Sequence, residues 1–177
     1  MKNMKYYILS IISVIVLLFF DQYTKLLAVQ KLKGKDSFVI INKVLEFSYL
    51  ENTGAAFSSF SGRQVFLIIL TSFVIAVLVW KYFQLPCEKR YMGMKIGLIF
   101  ILSGAVGNLV DRIRFHYVVD FIYFVPIDFP KFNVADMYIT VGVAVLAVLM
   151  FFFYQEEELE VLLSFKKEPD GKTSTDR

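Results

Sequence analysis

The sequence predicts an all-α integral membrane protein: four transmembrane helices, a small extracytoplasmic β-sheet in the first outer loop, and a second outer loop. Three observations carry this. Apolar residues make up 57% of the 177, and mean hydropathy is +0.59; an ordinary soluble domain is roughly 45–50% apolar. Four segments approach the ~20 apolar residues that cross a bilayer. The polar residues gather into short islands between those segments.

The first span covers 6–28, with an apolar stretch from Ile8 to Phe20 broken only by Ser10 and Ser13. Lys2 and Lys5 precede it. No small-x-small cleavage site follows, and Asp21-Gln22 comes directly after, so it reads as a retained helix and not a signal peptide. The first outer loop, 29–63, contains Phe38-Val39-Ile40-Ile41 and Leu45-Glu46-Phe47-Ser48-Tyr49-Leu50. Both read as short strands of a sheet on the membrane surface.

The second span covers 64–83 and the third 92–111. The third contains Gly97, and its small residues Ser103, Gly104 and Gly107 permit close helix packing. The second outer loop, 112–133, mixes aromatics with Pro126 and Pro130. It is expected to be a mobile lid that closes through Tyr117, Phe121, Tyr123 and Phe124. The fourth span covers 134–154, so that 1–154 is one membrane domain and 155–177 a charged cytoplasmic tail.

The loop between spans two and three carries Lys81, Lys89, Arg90 and Lys95 against Glu88. With Lys2 and Lys5 this puts both termini in the cytoplasm. The opposite loop is not free of cations, since Lys31, Lys33, Lys35, Lys43 and Arg63 face only Asp36, Glu46 and Glu51.

A net charge of +3 without a basic stripe excludes a nucleic-acid partner. The single cysteine, Cys87, and single histidine, His116, leave no material for an internal disulfide, a zinc centre or a Ser-His triad. No metal or cofactor is expected. His116 reads as an interfacial loop residue, and Ser58, Ser59 and Ser61 lack a usable base.

The chemistry is carried by the islands. They are Asp21 to Lys25, Glu51 to Ser58, Gly104 to Arg112, and the pair Asp120 and Asp136. Alternating spans bring all four to the outer face. An ionisable group at a bilayer edge needs a job or a partner. Two carboxylates brought close cannot both ionise readily, so one keeps a proton. The charged one can take a proton from an attacking water while the neutral one polarises a peptide carbonyl, as in an aspartic peptidase. The bland alternative is an N-capping Asp136 and a solvated Asp120.

Asn108, Asp111 and Arg112 share a helical face at i, i+3 and i+4. Asn108 can bond a bound peptide or a catalytic carboxylate, and Arg112 an anion or a carbonyl with Asp111 holding it; an ion pair beside a packing asparagine is the alternative. Asp21 and Lys25, at i and i+4, read as a structural salt bridge. Asn52 and Asn133 are either site residues or turn and cap residues. A small transporter would need polar residues through the membrane depth, whereas these cluster at one face. An assembly subunit using them as helix-packing glue stays open.

Five stretches resemble the signature blocks of bacterial lipoprotein signal peptidase, or signal peptidase II. They are Asp21-Gln22-Tyr23-Thr24-Lys25, Glu51-Asn52-Thr53-Gly54-Ala55-Ala56-Phe57, Gly104-Ala105-Val106-Gly107-Asn108-Leu109-Val110-Asp111-Arg112, Val118-Val119-Asp120-Phe121 and Phe132-Asn133-Val134-Ala135-Asp136. All five stand in the family's order. The resemblance implies a membrane aspartic endopeptidase of the bacterial cytoplasmic membrane, with an outer β-cradle and its active site near the outer face. It implies cleavage of prolipoproteins just before a diacylglyceryl-modified cysteine, and a site that takes globomycin-type inhibitors. Asp120 and Asp136 match the catalytic pair. Asn52, Gly54, Asn108, Arg112 and Asn133 match positions that contact substrate or support the pair. Asp21, Lys25 and Asp111 match signature positions of more structural role.

Overall fold

A computed structural model describes residues 2–54 and 63–155. The serines at 58–61 and the tail from 156 onward lie outside the described residues. The chain runs α1 (Lys2–Leu32), β1 (Phe38–Ile41), β2 (Leu45–Asn52), α2 (Gln64–Gln84), α3 (Met92–Phe115), β3 (Val118–Phe124) and α4 (Val134–Phe152). All four helices are long and apolar enough to cross a membrane.

Each helix departs slightly from its expected bounds. The 31 residues of α1 extend the 6–28 reading at both ends. At 1.5 Å per residue they reach about 46 Å, well beyond a hydrocarbon core of about 30 Å. The surplus outer turns carry Ala28 and Leu32 up to the sheet. α3 continues past Asp111 to Phe115 and ends where His116 turns into the left-handed region at φ 64°, capping the helix.

α3 is the central helix. Its apolar stretch is 61% buried, against 6%, 11% and 22% for α1, α2 and α4. Its small residues explain this, because tight contact is what holds helices together in lipid. A side chain on Gly104 would run into the carbonyl oxygen of Ala135, so α3 and the start of α4 touch backbone to backbone there. One level further in, a Cβ on Gly142 would stand 2.7 Å from the Gly97 oxygen.

Tyr82, Leu85, Met94, Leu98 and Tyr154 close the end of the bundle away from the sheet. Lys95 belongs to that plug rather than to the loop. It is 1% exposed, its ammonium 4.4 Å from the centre of the Tyr82 ring and 3.4 Å from the Tyr82 carbonyl oxygen. The basic residues left at the surface of the α2–α3 connection are Lys81, Lys89 and Arg90.

The sheet has three antiparallel strands in the order β1-β2-β3. Both expected strands are present, and β2 runs on to Asn52. β3 overturns the expectation of a mobile lid at Tyr117, Phe121, Tyr123 and Phe124. Val118–Phe124 is paired along β2, and Val119 and Phe121 are buried. The run is apolar apart from Asp120, and Val118 to Phe121 are all buried, as in a strand covered on both faces. Phe47 and Tyr49 of β2 pack with Val119, Phe121, Ala28 and Leu32, which fixes the sheet on the C-terminal end of α1.

Candidate active site

Asp120 lies in β3 opposite Leu50 and is 1% exposed, so it is not the solvated group of the bland alternative. Its Oδ2 accepts a hydrogen bond from Asn52 Nδ2 at 2.7 Å, and its Oδ1 one from Asn133 Nδ2 at 2.6 Å. Asn52 closes the end of β2, where its own Oδ1 accepts the Gly54 N–H at 2.9 Å.

Asn133 is the N-cap of α4. Its Oδ1 accepts the Asp136 N–H, and Asp136 Oδ2 accepts the Asn133 N–H, each at 3.1 Å, forming a reciprocal capping box. Asp136 therefore does cap the helix. Its other oxygen, Oδ1, accepts Asn108 Nδ2 at 2.8 Å. Asn133 thus donates from its side chain to Asp120 and from its backbone to Asp136. One residue spans both carboxylates.

The residues expected to be structural form a second tier. Lys25 Nζ stands 3.0 Å from Asp21 Oδ2, 3.0 Å from Asp111 Oδ2 and 2.9 Å from Asn108 Oδ1. Asp21 Oδ1 accepts the N–H of Ala135 at 3.0 Å, and Asp111 Oδ2 accepts the N–H of Val119 at 3.2 Å. Each lower aspartate thereby holds the residue just before one upper aspartate. Gln22 Nε2 joins the two, donating to Asp111 Oδ1 at 2.9 Å and to Asp21 Oδ2 at 3.1 Å. Buried charges survive when paired and hydrogen-bonded in this way.

Two details differ from expectation. Asp111 does not hold Arg112; it turns to Lys25. Arg112 is fixed instead by carbonyl oxygens, donating to Gly54 at 3.0 Å and to Asn108 at 3.4 Å. Gln22, inside the first polar island, carries no role in the sequence reading. A glutamine beside an aspartate in an apolar helix demands hydrogen-bond partners, and that signal identifies it.

Asp120 stands outside the spans, and its carboxyl is pushed up to about 6, first by burial and then by the charge on Asp136. The Asn52 and Asn133 hydrogen bonds and the Lys25 charge act in the opposite direction. Asp120 and Asp136 open together onto a cavity of about 770 Å³, with Asn52, Asn108 and Arg112 in its wall. Met137, Ile139 and Val141 continue that wall along α4. Among the described residues no group of His, Cys, Asp and Glu has the geometry to hold a metal ion. The arrangement supplies two carboxylates, amide donors and one guanidinium in a cleft with an apolar side.

Residues 13–152 match the family described as signal peptidase (SPase) II. A lipoprotein signal peptidase of Clostridium tetani is 39% identical over 145 residues, covering 80% of this chain and 92% of the relative. That of Caldanaerobacter subterraneus subsp. tengcongensis is 41% identical over 145 residues, covering 81% and 97%. A bacterial membrane enzyme solved by the in meso method at 2.3 Å resolution superposes with a TM-score of 0.72 at 30% identity, covering 92% of this chain and 94% of that one.

Proposed function

This chain belongs to the signal peptidase II family, and we propose that Asp120 and Asp136 are the catalytic pair of this membrane aspartic endopeptidase. The enzyme removes signal peptides from prolipoproteins. The observation that carries the assignment is the double donation by Asn133, at 2.6 Å to Asp120 and 3.1 Å to Asp136, which fixes the two carboxylates relative to each other at the mouth of one cavity.

The pair shares one proton. The ionised carboxylate takes a proton from water as the water attacks the scissile carbonyl. The protonated one donates to the carbonyl oxygen as charge develops there. Arg112, held by two carbonyl oxygens and lining the cavity, supplies further donors to the substrate backbone. Asn108 holds Asp136 while Lys25 holds Asn108, so the hydrogen-bond geometry is set before substrate arrives.

The substrate is a prolipoprotein whose cysteine carries a diacylglyceryl group, cut just before that cysteine. The wall of Met137, Ile139 and Val141 supports this, because Met137 and Val141 are 46% exposed on a surface that faces lipid. Acyl chains and an apolar signal helix reach the dyad sideways through the bilayer along that wall. Membrane lipid thus borders the site, and a globomycin-type inhibitor competes for the same cavity. The protein sits in the bacterial cytoplasmic membrane with both termini in the cytoplasm and the site near the outer face, as Lys81, Lys89 and Arg90 at the opposite end support.

Purified protein in detergent, given matched prolipoproteins with and without the diacylglyceryl group, is expected to cleave the modified one and to be blocked by globomycin. Equal cleavage of both forms would overturn the substrate assignment.

A further inference from the structure

Beside the catalytic cavity lies a second one, of about 370 Å³. The two share Leu50, Phe129, Pro130 and Lys131, so they adjoin across that rim. The floor of both is a single strand. Asn52 and Leu50 of β2 line the catalytic cavity, and Leu50, Ser48 and Glu46 line the second. The register with β3 shifts between Phe47 and Leu50, so strict alternation breaks there, yet these four residues all line this side of the strand. The intervening Phe47 and Tyr49 pack toward α1 instead. One face of β2 therefore forms a continuous track from Asn52, which holds Asp120, outward to Glu46.

The far end of that track is polar. Lys131 Nζ donates to Ser48 Oγ at 2.9 Å, and the Tyr123 hydroxyl donates to Asp128 Oδ1 at 2.6 Å. Glu46 pairs with Tyr123 across β2 and β3 and faces the same space. The catalytic cavity, by contrast, continues along α4 on Met137, Ile139 and Val141. A prolipoprotein is equally divided in character. Its signal helix and acyl chains are apolar, whereas the polypeptide beyond the modified cysteine enters water.

We propose that this second cavity binds the first residues of the mature polypeptide, a hydrophilic peptide segment just beyond the modified cysteine, and that Glu46, Asp128 and Lys131 select its charge. The inference rests on the peptidase reading of the adjoining site. β2 is paired on both edges, so the segment cannot add as a further strand. Recognition falls to side chains. Two carboxylates face one ammonium there, so the cavity favours cationic residues over anionic ones.

The test uses the purified full chain and two diacylglyceryl-modified prolipoprotein peptides. They are identical through the cysteine and carry either two lysines or two glutamates at the second and third positions after it. The readout is the ratio of their kcat/KM values within each protein, which is independent of how much of a variant folds. Wild type is expected to favour the lysine peptide about threefold, the scale of partly exposed charge pairs. Glu46→Lys lowers or inverts the ratio, and Lys131→Glu raises it. A ratio unchanged in both variants, or moved the same way by both, overturns the proposal. Failure of wild type to cleave either peptide overturns the peptidase reading, and this proposal with it.

Discussion

Asp21 and Asp111 grip the same ammonium, that of Lys25, each at 3.0 Å, and each also accepts a backbone N–H, that of Ala135 just before Asp136 or of Val119 just before Asp120. The upper pair is therefore positioned by a lower pair. α1 contributes nothing to the cavity wall, yet it ties β3 and the start of α4 to a common point.

Lys25→Met removes the charge from between two buried carboxylates. Breaking a buried ion pair from one side costs about 3–5 kcal/mol. The variant is expected to melt far below wild type in detergent. Asp111→Asn, which keeps an oxygen for the Val119 N–H, is expected to lose less. Equal melting of Lys25→Met and wild type would contradict the clamp.

Asn133→Ala separates stability from chemistry. Loss of an N-cap side chain costs about 0.5–2 kcal/mol. The same change removes the donor to Asp120, so kcat is expected to fall by roughly 10² or more, on the scale of acid–base catalysis, in protein that still folds. Full kcat in folded Asn133→Ala would contradict the bridging role.

Acidity gives a signed prediction. Asp120 holds its proton up to about 6 in the folded protein, against an ordinary 3.8. Between those values the folded chain binds a proton that the unfolded chain has lost. Its contribution to stability is therefore greatest below pH 3.8 and declines as pH rises through about 6. For activity, kcat/KM requires the singly protonated pair and is bell-shaped in pH, with its alkaline limb at or above about 6. Asn52→Ala deletes a hydrogen bond that lowers the Asp120 pKa, so that limb moves to higher pH. A profile of the same shape and position in both proteins would contradict the assignment.

Gly104→Ala places a methyl group against the Ala135 carbonyl, which is backbone and cannot swing aside. Overpacking of this kind costs about 1–3 kcal/mol. It also displaces the start of α4, so activity is expected to fall more steeply than stability. Thermal melting and kcat measured on the same preparation check this.

Much of this was legible in the residues. Hydropathy alone locates four spans, because lipid demands apolar length and little else. The i, i+4 spacing predicts the Asp21–Lys25 ion pair. Polar islands at alternate span ends converge on one face by topology, and Asp120, Asp136, Asn108 and Asn133 meet there. The β3 strand was hidden because an aspartate interrupts its apolar run and two prolines follow. The link from Asp111 to Val119 was hidden for another reason. It joins a side chain to a backbone N–H, which carries no residue-specific signal. Lys95 was misplaced because a loop charge and a lysine buried over tyrosine rings look alike in sequence.

The most direct test of the catalytic pair compares wild type with Asp120→Asn and Asp136→Asn, each shown to be folded, on a diacylglyceryl-modified prolipoprotein. Asparagine keeps the shape and much of the hydrogen bonding of aspartate, but cannot take a proton from water. Each substitution is expected to lower kcat by about 10²–10⁴ without loss of fold. Near wild-type cleavage by either folded variant would contradict it and return both carboxylates to a structural role.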